Sequence, residues 1–506
     1  MNFANAMYRA GSEKLTENGA FAYDSAAQGA LLDLFSQIGA LRPRTEQEIR
    51  QKFAAAFNEN NLLATKMLFY AGDIRQIGLG ERRTFRICLR WLAEIQPSIV
   101  AKNIHLIPYF NRFDSLFVLV GTECEALMWE LIAETLTKDV RAVKASTDTK
   151  HVPVSLLAKW MPSENTSSAK TRALAAKAIR ALKLNPRTYR KMLSALRKHI
   201  NVTERLMSAG EWGQIDYAKV PSYAMHNYGS AFAKHDYERF NAYLQSVKKG
   251  ETKINASVLY PYDLVEEYLN VNYYDGMRCG DTSVARHENA VVEAQWKALP
   301  NYIKEGLNIV AMADVSGSMC GRPMASSIGL SIYLAQHNIG AYRNQYMTFT
   351  DNPHFINLCE GCSLLEAVQK TASAGVGYGT NLMKAMDKIL QVAVANRVPE
   401  NELPEAMLVL SDMEIDHYFR PQANFDFMDT VAAKFRRAGY KKCPKLVLWN
   451  IEARKDTFLS NREDVILVSG QSASTFKSLV NALNGMTAYD YMLSVLNSEA
   501  YSKIRI

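Results

Sequence analysis

Three side chains that carry oxygen ligands are spaced two residues apart in the second half of the chain. They are Asp314, Ser316 and Ser318, and they follow the apolar run at 309–313, which is typical of a strand buried on both faces. Carboxylate and hydroxyl oxygens are ligands that a small hard cation such as Mg2+ prefers in proteins. The D-x-S-x-S spacing therefore predicts a divalent-cation site, although such triplets also occur in ordinary turns.

Strand and helix patterns alternate on both sides of this turn. Strands are predicted at 307–313, 343–350, 405–411, 445–450 and 464–469, and helices at 323–338, 380–394, 425–438 and 474–484. Such alternation indicates a mostly parallel sheet with helices on both faces, and ligands of these sheets bind at the carboxyl ends of the strands. Two more candidate ligands are expected at that edge. Thr380 follows the glycine-rich segment GVGYG, and Asp412 directly follows a predicted strand.

The first half of the chain is predicted to be all-α. Apolar residues recur there at intervals of three and four, with few β signals. Helix pairs of uneven length suggest an irregular, HEAT-like helical-repeat solenoid, either open or closed into a ring. We expect a helical domain over 1–295 and an α/β domain over 296–506. Residues 1–25 are expected to form an arm, and the segment at 220–232 fits neither a helix nor a strand.

One stretch of the helical half is strongly basic. No acidic residue occurs over 165–203, which contains two predicted helices at 167–183 and 187–198. Its ten lysines and arginines are Lys170, Arg172, Lys177, Arg180, Lys183, Arg187, Arg190, Lys191, Arg197 and Lys198. Such a surface attracts phosphate groups and predicts RNA binding; the alternative is a solvated helix face. Tyr189 and Trp160 would either stack on unpaired bases or lie in the core.

Composition excludes several classes of protein. The chain has 506 residues, a formal net charge of +8 and 48% hydrophobic residues, as expected for a globular protein of two or three domains. No apolar run reaches about 18 residues and the N-terminus lacks the apolar stretch of a signal peptide, so we expect no membrane contact. Seven scattered cysteines, an odd number, indicate reduced thiols and a cytoplasmic location.

Two minor candidates accompany these sites. Cys359 and Cys362 have the spacing of half a zinc site, but a second pair of ligands is missing, so a structural role is preferred. Glu414 and Asp416 lie just beyond Asp412, and we expect them to be solvated rather than to line the cation site.

Asp314, Ser316, Ser318, Thr380 and Asp412 together resemble the metal-ion-dependent adhesion site of the von Willebrand factor A domain. Their order, their placement at strand ends and the intervals of 62 residues (318 to 380) and 32 residues (380 to 412) are similar to that family. The resemblance implies a Rossmann-like α/β fold over roughly the last two hundred residues. It also implies Mg2+ or another divalent cation held by the first three residues, with Thr380 and Asp412 completing the shell.

This resemblance implies binding rather than catalysis. One coordination position would remain for a carboxylate from a partner, and the motif pairs no nucleophile with a base, so we expect no enzymatic activity. A helical half followed by such a domain resembles the Ro (TROVE) ribonucleoproteins, in which helical repeats bind structured and misfolded RNA. The segments DIRQIGLGER and VPVSLLAKWMPS resemble instead a set of A-domain proteins from phages, bacteria and plants.

Two functional hypotheses follow from these resemblances. The first is a Ro-like RNA-binding scaffold that holds structured or single-stranded RNA ends and adds a metal-dependent contact. The alternative is a protein-interaction adaptor without RNA, in which the cation binds an acidic residue of a partner.

Overall fold

The computed structural model describes residues 13–26, 28–146, 152, 154–200, 202–271, 282–303, 308–339, 341–350, 352–374, 379–415, 427–483 and 485–506. The first half is mostly helical, and the second half contains a mixed six-stranded sheet. The coarser prediction of a helical part followed by an α/β part is confirmed, whereas the solenoid stays a prediction. Most of the predicted GVGYG segment, at 375–378, and Asp416 lie outside the described residues.

Helices account for most of the described first half. They are α1 (Ala30–Phe35), α2 (Glu46–Glu59), α3 (Asn61–Gly72), α4 (Arg82–Ile95), α5 (Pro97–Asn103), α6 (Ile107–Phe110), α7 (Glu125–Ala145), α8 (Leu157–Trp160), α9 (Ala169–Ala181), α10 (Pro186–Ile200), α11 (Thr203–Ser208), α12 (Ser222–His235), α13 (Tyr237–Lys248), α14 (Pro261–Val265) and α15 (Ala290–Lys297). Local sequence explains several of them. Helix α2 begins with a capping box in which Thr45 and Glu48 satisfy each other's backbone N–H groups.

Helix α12 corrects the prediction that residues 220–232 form neither a helix nor a strand. Its aromatic and small residues obscure the apolar period, and its packing comes from a distant part of the chain. Gly229 lies against α15, where an added Cβ atom would be 3.2 Å from Cγ2 of Val291. Tertiary contact therefore outweighs the weak local preference here.

The first half also contains short strands that the sequence did not predict. β1 (Glu13–Leu15) and β2 (Phe21–Tyr23) form an antiparallel hairpin where an arm was expected. β3 (Leu269–Val271) pairs with β4 (Thr282–Val284) in a second antiparallel sheet. Strands of three residues are too short to show a period of two, so pattern analysis passes over them.

The six-stranded sheet lies in the second half of the chain. Its strands are β5 (Ile309–Asp314), β6 (Gln345–Phe349), β7 (Phe355–Asn357), β8 (Ala406–Ser411), β9 (Lys445–Asn450) and β10 (Ile466–Ser469). Their spatial order is β10-β9-β8-β5-β6-β7, and every neighbouring pair is parallel except β6 and β7. The prediction of a mostly parallel sheet is confirmed, and only the short antiparallel edge strand β7 was missed.

Strands β5 and β8 lie side by side at the centre of this sheet. Every residue of both strands is buried, as expected when helices cover both faces. The connections from β5 and from β8 lead to opposite edges of the sheet, so the crevice between their carboxyl ends is the topological switch point. Ligands of doubly wound sheets bind at that point.

Six helices accompany the sheet in the described part of the second half. They are α16 (Arg322–His337), α17 (Leu364–Ser373), α18 (Leu382–Ala395), α19 (Phe427–Arg437), α20 (Phe476–Ala482) and α21 (Ala488–Leu496). Helices α17 and α21 were not predicted, although each begins with a capping box that the sequence carries, Ser363 with Glu366 and Thr487 with Asp490. Within the described ranges, no helix combines the length and the apolar character needed to cross a membrane.

The two halves share one continuous hydrophobic core, which includes Leu31 in α1 and Leu496 in α21. Gly39 packs so closely on the loop after β10 that an added Cβ atom would lie 2.6 Å from Cα of Gly470. The boundary predicted between residues 295 and 296 falls inside α15. The division into two domains therefore stays a prediction.

Candidate metal site

Asp314 is the last residue of β5, and its carboxylate is fully buried at the switch point of the sheet. The Ser316 backbone N–H donates to Oδ1 over 2.9 Å. The hydroxyl of Ser411, the last residue of β8, donates to Oδ2 over 2.5 Å. The carboxylate is thus held by residues at the carboxyl ends of both central strands, and these contacts fix its orientation.

The two motif serines form a single polar surface beside this carboxylate. Ser316 and Ser318 lie just before and within a 3-10 turn, Gly317–Met319, and their Oγ atoms are 3.1 Å apart. The Ser318 hydroxyl also interacts with the Asp412 carboxylate and lowers the pKa of that group. The structure therefore brings together Asp314, Ser316, Ser318 and Asp412, four of the five predicted ligands.

Asp412 directly follows β8 and is 2% exposed. Its Oδ1 accepts the Glu414 backbone N–H over 3.1 Å, and its Oδ2 forms an ion pair with Nη2 of Arg454. Nη1 of Arg454 donates to the Ser318 backbone oxygen over 2.9 Å. Sequence reasoning missed Arg454; its position after β9, the strand beside β8, was the signal that could have placed it at this edge.

Burial leaves the negative charge of this pair of carboxylates undercompensated. Burial, together with the smaller effect of the nearby negative charge of Asp412, raises the pKa of Asp314 to about 7. Burial also raises the pKa of Asp412, against the opposing effect of the Arg454 guanidinium. A bound cation would stabilise both ionised carboxylates, and the all-oxygen donor set suits Mg2+. The residues present therefore fit the predicted ion.

Thr380 is buried immediately before Asn381, the N-cap residue of α18. The Asn381 side chain accepts the Lys384 backbone N–H over 2.9 Å, which sets the start of the helix. The place of Thr380 in the cation shell stays a prediction.

Glu414 is buried, so the prediction that it is solvated is wrong. Its carboxylate accepts the Glu17 backbone N–H and the Thr457 hydroxyl, each over 2.6 Å. It therefore ties the loop after β8 to the turn of the β1–β2 hairpin and to the loop after β9. No feature near Glu414 in the sequence could have indicated a partner in the hairpin, which lies hundreds of residues away.

The basic stretch forms α9 and α10 as predicted, and nine of its ten lysines and arginines are exposed. Arg197 differs from the others, because its guanidinium donates to Ala158 O, Ser163 Oγ and Met161 O over 2.9, 3.0 and 2.8 Å. Arg190 forms an ion pair with Glu164. The remaining side chains place a positive surface on the outside of the helix pair.

The two aromatic candidates have little surface to offer a base. Tyr189 is fully buried, and its hydroxyl donates to the Pro162 oxygen over 2.7 Å. Trp160 is half-buried, and the Arg112 guanidinium lies 3.6 Å from the centroid of its ring. Tyr189 is therefore a core residue, and one face of Trp160 is already covered by a cation.

Two cysteines and a glutamate form a second group of side chains that could hold a metal ion. The ligand atoms of Cys359, Cys362 and Glu366 lie within 4.8 Å of one another, and no other group of three histidine, cysteine or acidic ligands occurs in the described ranges. Burial raises the pKa of Cys362 to about 12, and the Glu366 carboxylate already caps α17. Cys320 is disulfide-bonded, so the prediction of reduced thiols is wrong there, and the cytoplasmic location stays a prediction.

Comparison with known proteins divides the chain close to the start of β5. Residues 16–112 and 127–307 match a family model described as a domain of unknown function (DUF2828). Residues 308–498 match a second model, a domain of unknown function (DUF7788). An uncharacterized protein of Acanthamoeba polyphaga mimivirus is 30% identical over 508 residues, which covers 92% of this chain and 84% of the viral protein.

Proposed function

We propose that this chain, which belongs to the family defined by the DUF2828 domain, is a binding protein with a divalent-cation site in its second half. Asp314, Ser316 and Ser318 would hold Mg2+, with Thr380 and Asp412 completing the shell. The cation would offer its remaining position to a carboxylate of a partner. The observation that carries this proposal is the meeting of two buried carboxylates and two serine hydroxyls at the switch point of the sheet.

The order of the strands supports the resemblance to the von Willebrand factor A domain. Numbered within the second half, the order is 6-5-4-1-2-3, which is that of a doubly wound sheet. The proposed site occupies the crevice where such sheets bind their ligands. We propose binding rather than catalysis because the adhesion site that these residues resemble uses its cation to bind a carboxylate of a partner.

A magnesium titration tests the cation site. Addition of Mg2+ to the full chain should raise the melting temperature and release or absorb measurable heat, because only the folded site binds the ion. Ser318→Ala and Asp314→Ala should weaken the Mg2+ affinity by about tenfold or more, since each removes a ligand. The matched control is Asp387→Ala, which removes a partly exposed carboxylate paired with Lys434 in the same half. Equal responses in all four proteins would refute the site.

A second candidate function is RNA binding along α9 and α10. It is favoured by eight basic side chains that are exposed and form no ion pair with any residue in the described part of the chain. They are Lys170, Arg172, Lys177, Arg180, Lys183, Arg187, Lys191 and Lys198. Together with the cation site they would make a Ro-like RNA-binding scaffold, whereas the cation site alone would make a protein-interaction adaptor.

A filter-binding titration with single-stranded and structured RNA at several salt concentrations tests this surface. Replacing Arg187, Arg190 and Lys191 with glutamine should weaken binding and reduce the salt dependence, by about 0.7–0.9 in slope for each phosphate that is no longer neutralised. The control replaces Arg436, Arg437 and Lys441, which are equally basic and exposed but lie in and after α19. Equal weakening in both triple variants would assign the RNA affinity to overall charge. Unchanged binding in both variants would rule out α9 and α10 as the RNA-binding surface.

A further inference from the structure

The loop that follows β9 delivers a permanent positive charge into the proposed cation site. We propose that Arg454 is an internal cation that competes with the bound metal for Asp412, and that the helical half holds it in that position. The inference rests on the proposed cation site. It adds a residue that sets how tightly the site binds its ion.

The contacts of Arg454 are both with residues that carry the proposed ligands. Its guanidinium forms an ion pair with the Asp412 carboxylate and donates to the backbone oxygen of Ser318 over 2.9 Å. Both ionised side chains are withdrawn from water, with exposures of 14% for Arg454 and 1% for Asp412. Two cations that share one buried carboxylate repel each other strongly, because little solvent screens them.

The guanidinium is held less completely than a purely structural arginine would be. Nε of Arg454 is buried and has no hydrogen-bond partner among the described residues. The contrast is Arg197, whose Nε and both Nη atoms donate to protein oxygens. Arg454 therefore depends on the charge of Asp412, and a divalent ion that takes this carboxylate removes its main attraction.

The residues on either side of Arg454 are anchored on the first half of the chain. The Ala453 N–H donates to the Ala40 oxygen over 2.9 Å, and Nε of Arg44 donates to the Ala453 oxygen over 2.9 Å. Arg44 also pairs with Asp456 over 2.5 Å. The helical half thus fixes the backbone from which Arg454 reaches the site, so that loss of these contacts should change the affinity for the metal.

Arg454→Met tests the competition, because methionine keeps much of the length and removes the charge. Its Mg2+ affinity, measured by calorimetric titration of the full chain, should be higher than that of the natural protein by about tenfold or more. Its melting temperature in EDTA should be lower, since Asp412 is left without its partner. The control is Arg462→Met, which removes an arginine paired with Asp464 and Asp429 on the surface and should change neither affinity nor the response to Mg2+.

Arg44→Ala is the second variant, and it tests the anchoring with Arg454 still present. It should raise the Mg2+ affinity in the same direction and by a smaller factor. Unchanged or weaker Mg2+ binding in both Arg454→Met and Arg44→Ala, with binding intact in the natural protein, would overturn the inference and leave the proposed cation site standing. Failure of every protein to bind Mg2+ would overturn both, and binding by Arg454→Met alone would support both.

Discussion

Asp314 and Asp412 are two carboxylates withdrawn from water at one point of the sheet. Burial raises the pKa of both, and only Asp412 has an arginine to offset its charge. Carboxylates arranged in this way lower the stability of a fold, and they are concentrated at sites that bind or react. We therefore expect the metal-free natural protein to be less stable than a variant in which one of the two charges is removed.

Asp314→Asn should stabilise the metal-free protein. Because the pKa of Asp314 is raised from 3.8 to about 7, the ionised group destabilises the folded state, and stability falls as the pH rises between those values. In EDTA at about pH 8 the variant should gain free energy of unfolding on the order of 1–3 kcal/mol, and the gain should vanish near pH 4. Urea denaturation at both pH values measures it.

The control for this experiment is Asp387→Asn, whose carboxylate is partly exposed and paired with Lys434. It should change the free energy of unfolding by less than about 1 kcal/mol at either pH. If Asp314→Asn were less stable than the natural protein at the higher pH, the hydrogen bonds from Ser316 and Ser411 would outweigh the charge, and the account of an undercompensated pair would be wrong.

At the scale of elements, three separate segments meet beside the site. The loop after β8 carries Asp412 and Glu414, the loop after β9 carries Arg454, and the β1–β2 hairpin packs on both. Thr16 and Asn18 of the hairpin turn donate to the backbone oxygens of Ile415 and Glu414 over 2.6 and 2.7 Å. The backbones of Tyr23 and Phe458 exchange hydrogen bonds. The start of the chain thus buttresses the edge of the sheet where the site lies.

Glu414→Ala should loosen this junction without unfolding the sheet. The change leaves the Glu17 N–H and the Thr457 hydroxyl without their acceptor, which costs about 1–3 kcal/mol when such groups are buried. Backbone amides of the hairpin should then exchange with deuterium faster than in the natural protein. Lys455→Ala removes the more exposed ion pair with Glu17 and should have little effect. Equal exchange in both variants would argue against Glu414 as the anchor.

At the scale of the whole molecule, Asp73 joins the helical half to the C-terminal tail. Its carboxylate accepts the backbone N–H groups of Arg75, Gln76, Ile77 and Gly78. It also accepts the Tyr501 hydroxyl over 2.9 Å. The DIRQIGLGER segment is therefore a structural junction between the helical half and the C-terminal tail. Since the core is continuous across this junction, the chain should unfold in one transition.

Tyr501→Phe tests whether the halves depend on each other. It removes one hydrogen bond to a buried carboxylate and should lower the free energy of unfolding by about 1–3 kcal/mol. Hydrogen exchange of the slowest amides in α3 and in β9 should then accelerate by the same factor. Tyr237→Phe is the control, because Tyr237 is 66% exposed. Acceleration confined to one half would show that the halves unfold separately.

The local sequence pattern was sufficient to predict the strands and helices whose apolar residues recur at a regular interval. The strand before Asp314, the basic helices α9 and α10, and the parallel character of the sheet all follow from residue types within a short window. It was insufficient for β7 and for the hairpin, whose strands are three residues long, and for α12, whose packing partner Val291 lies far along the chain. Tyr189 illustrates the same limit, because only the packed structure shows its ring inside the core.

The sequence by itself determined that Asp314 and Asp412 lie at the carboxyl ends of two strands, because the alternation of strands and helices brings those ends to one edge. Only the tertiary structure decided what surrounds them. Glu414 is an anchor rather than a solvated residue, and Arg454 is a cation beside Asp412, because the loop after β9 is tied to Ala40 and Arg44. Local period carries no information about such distant contacts, whereas burial and charge in the folded chain depend on them.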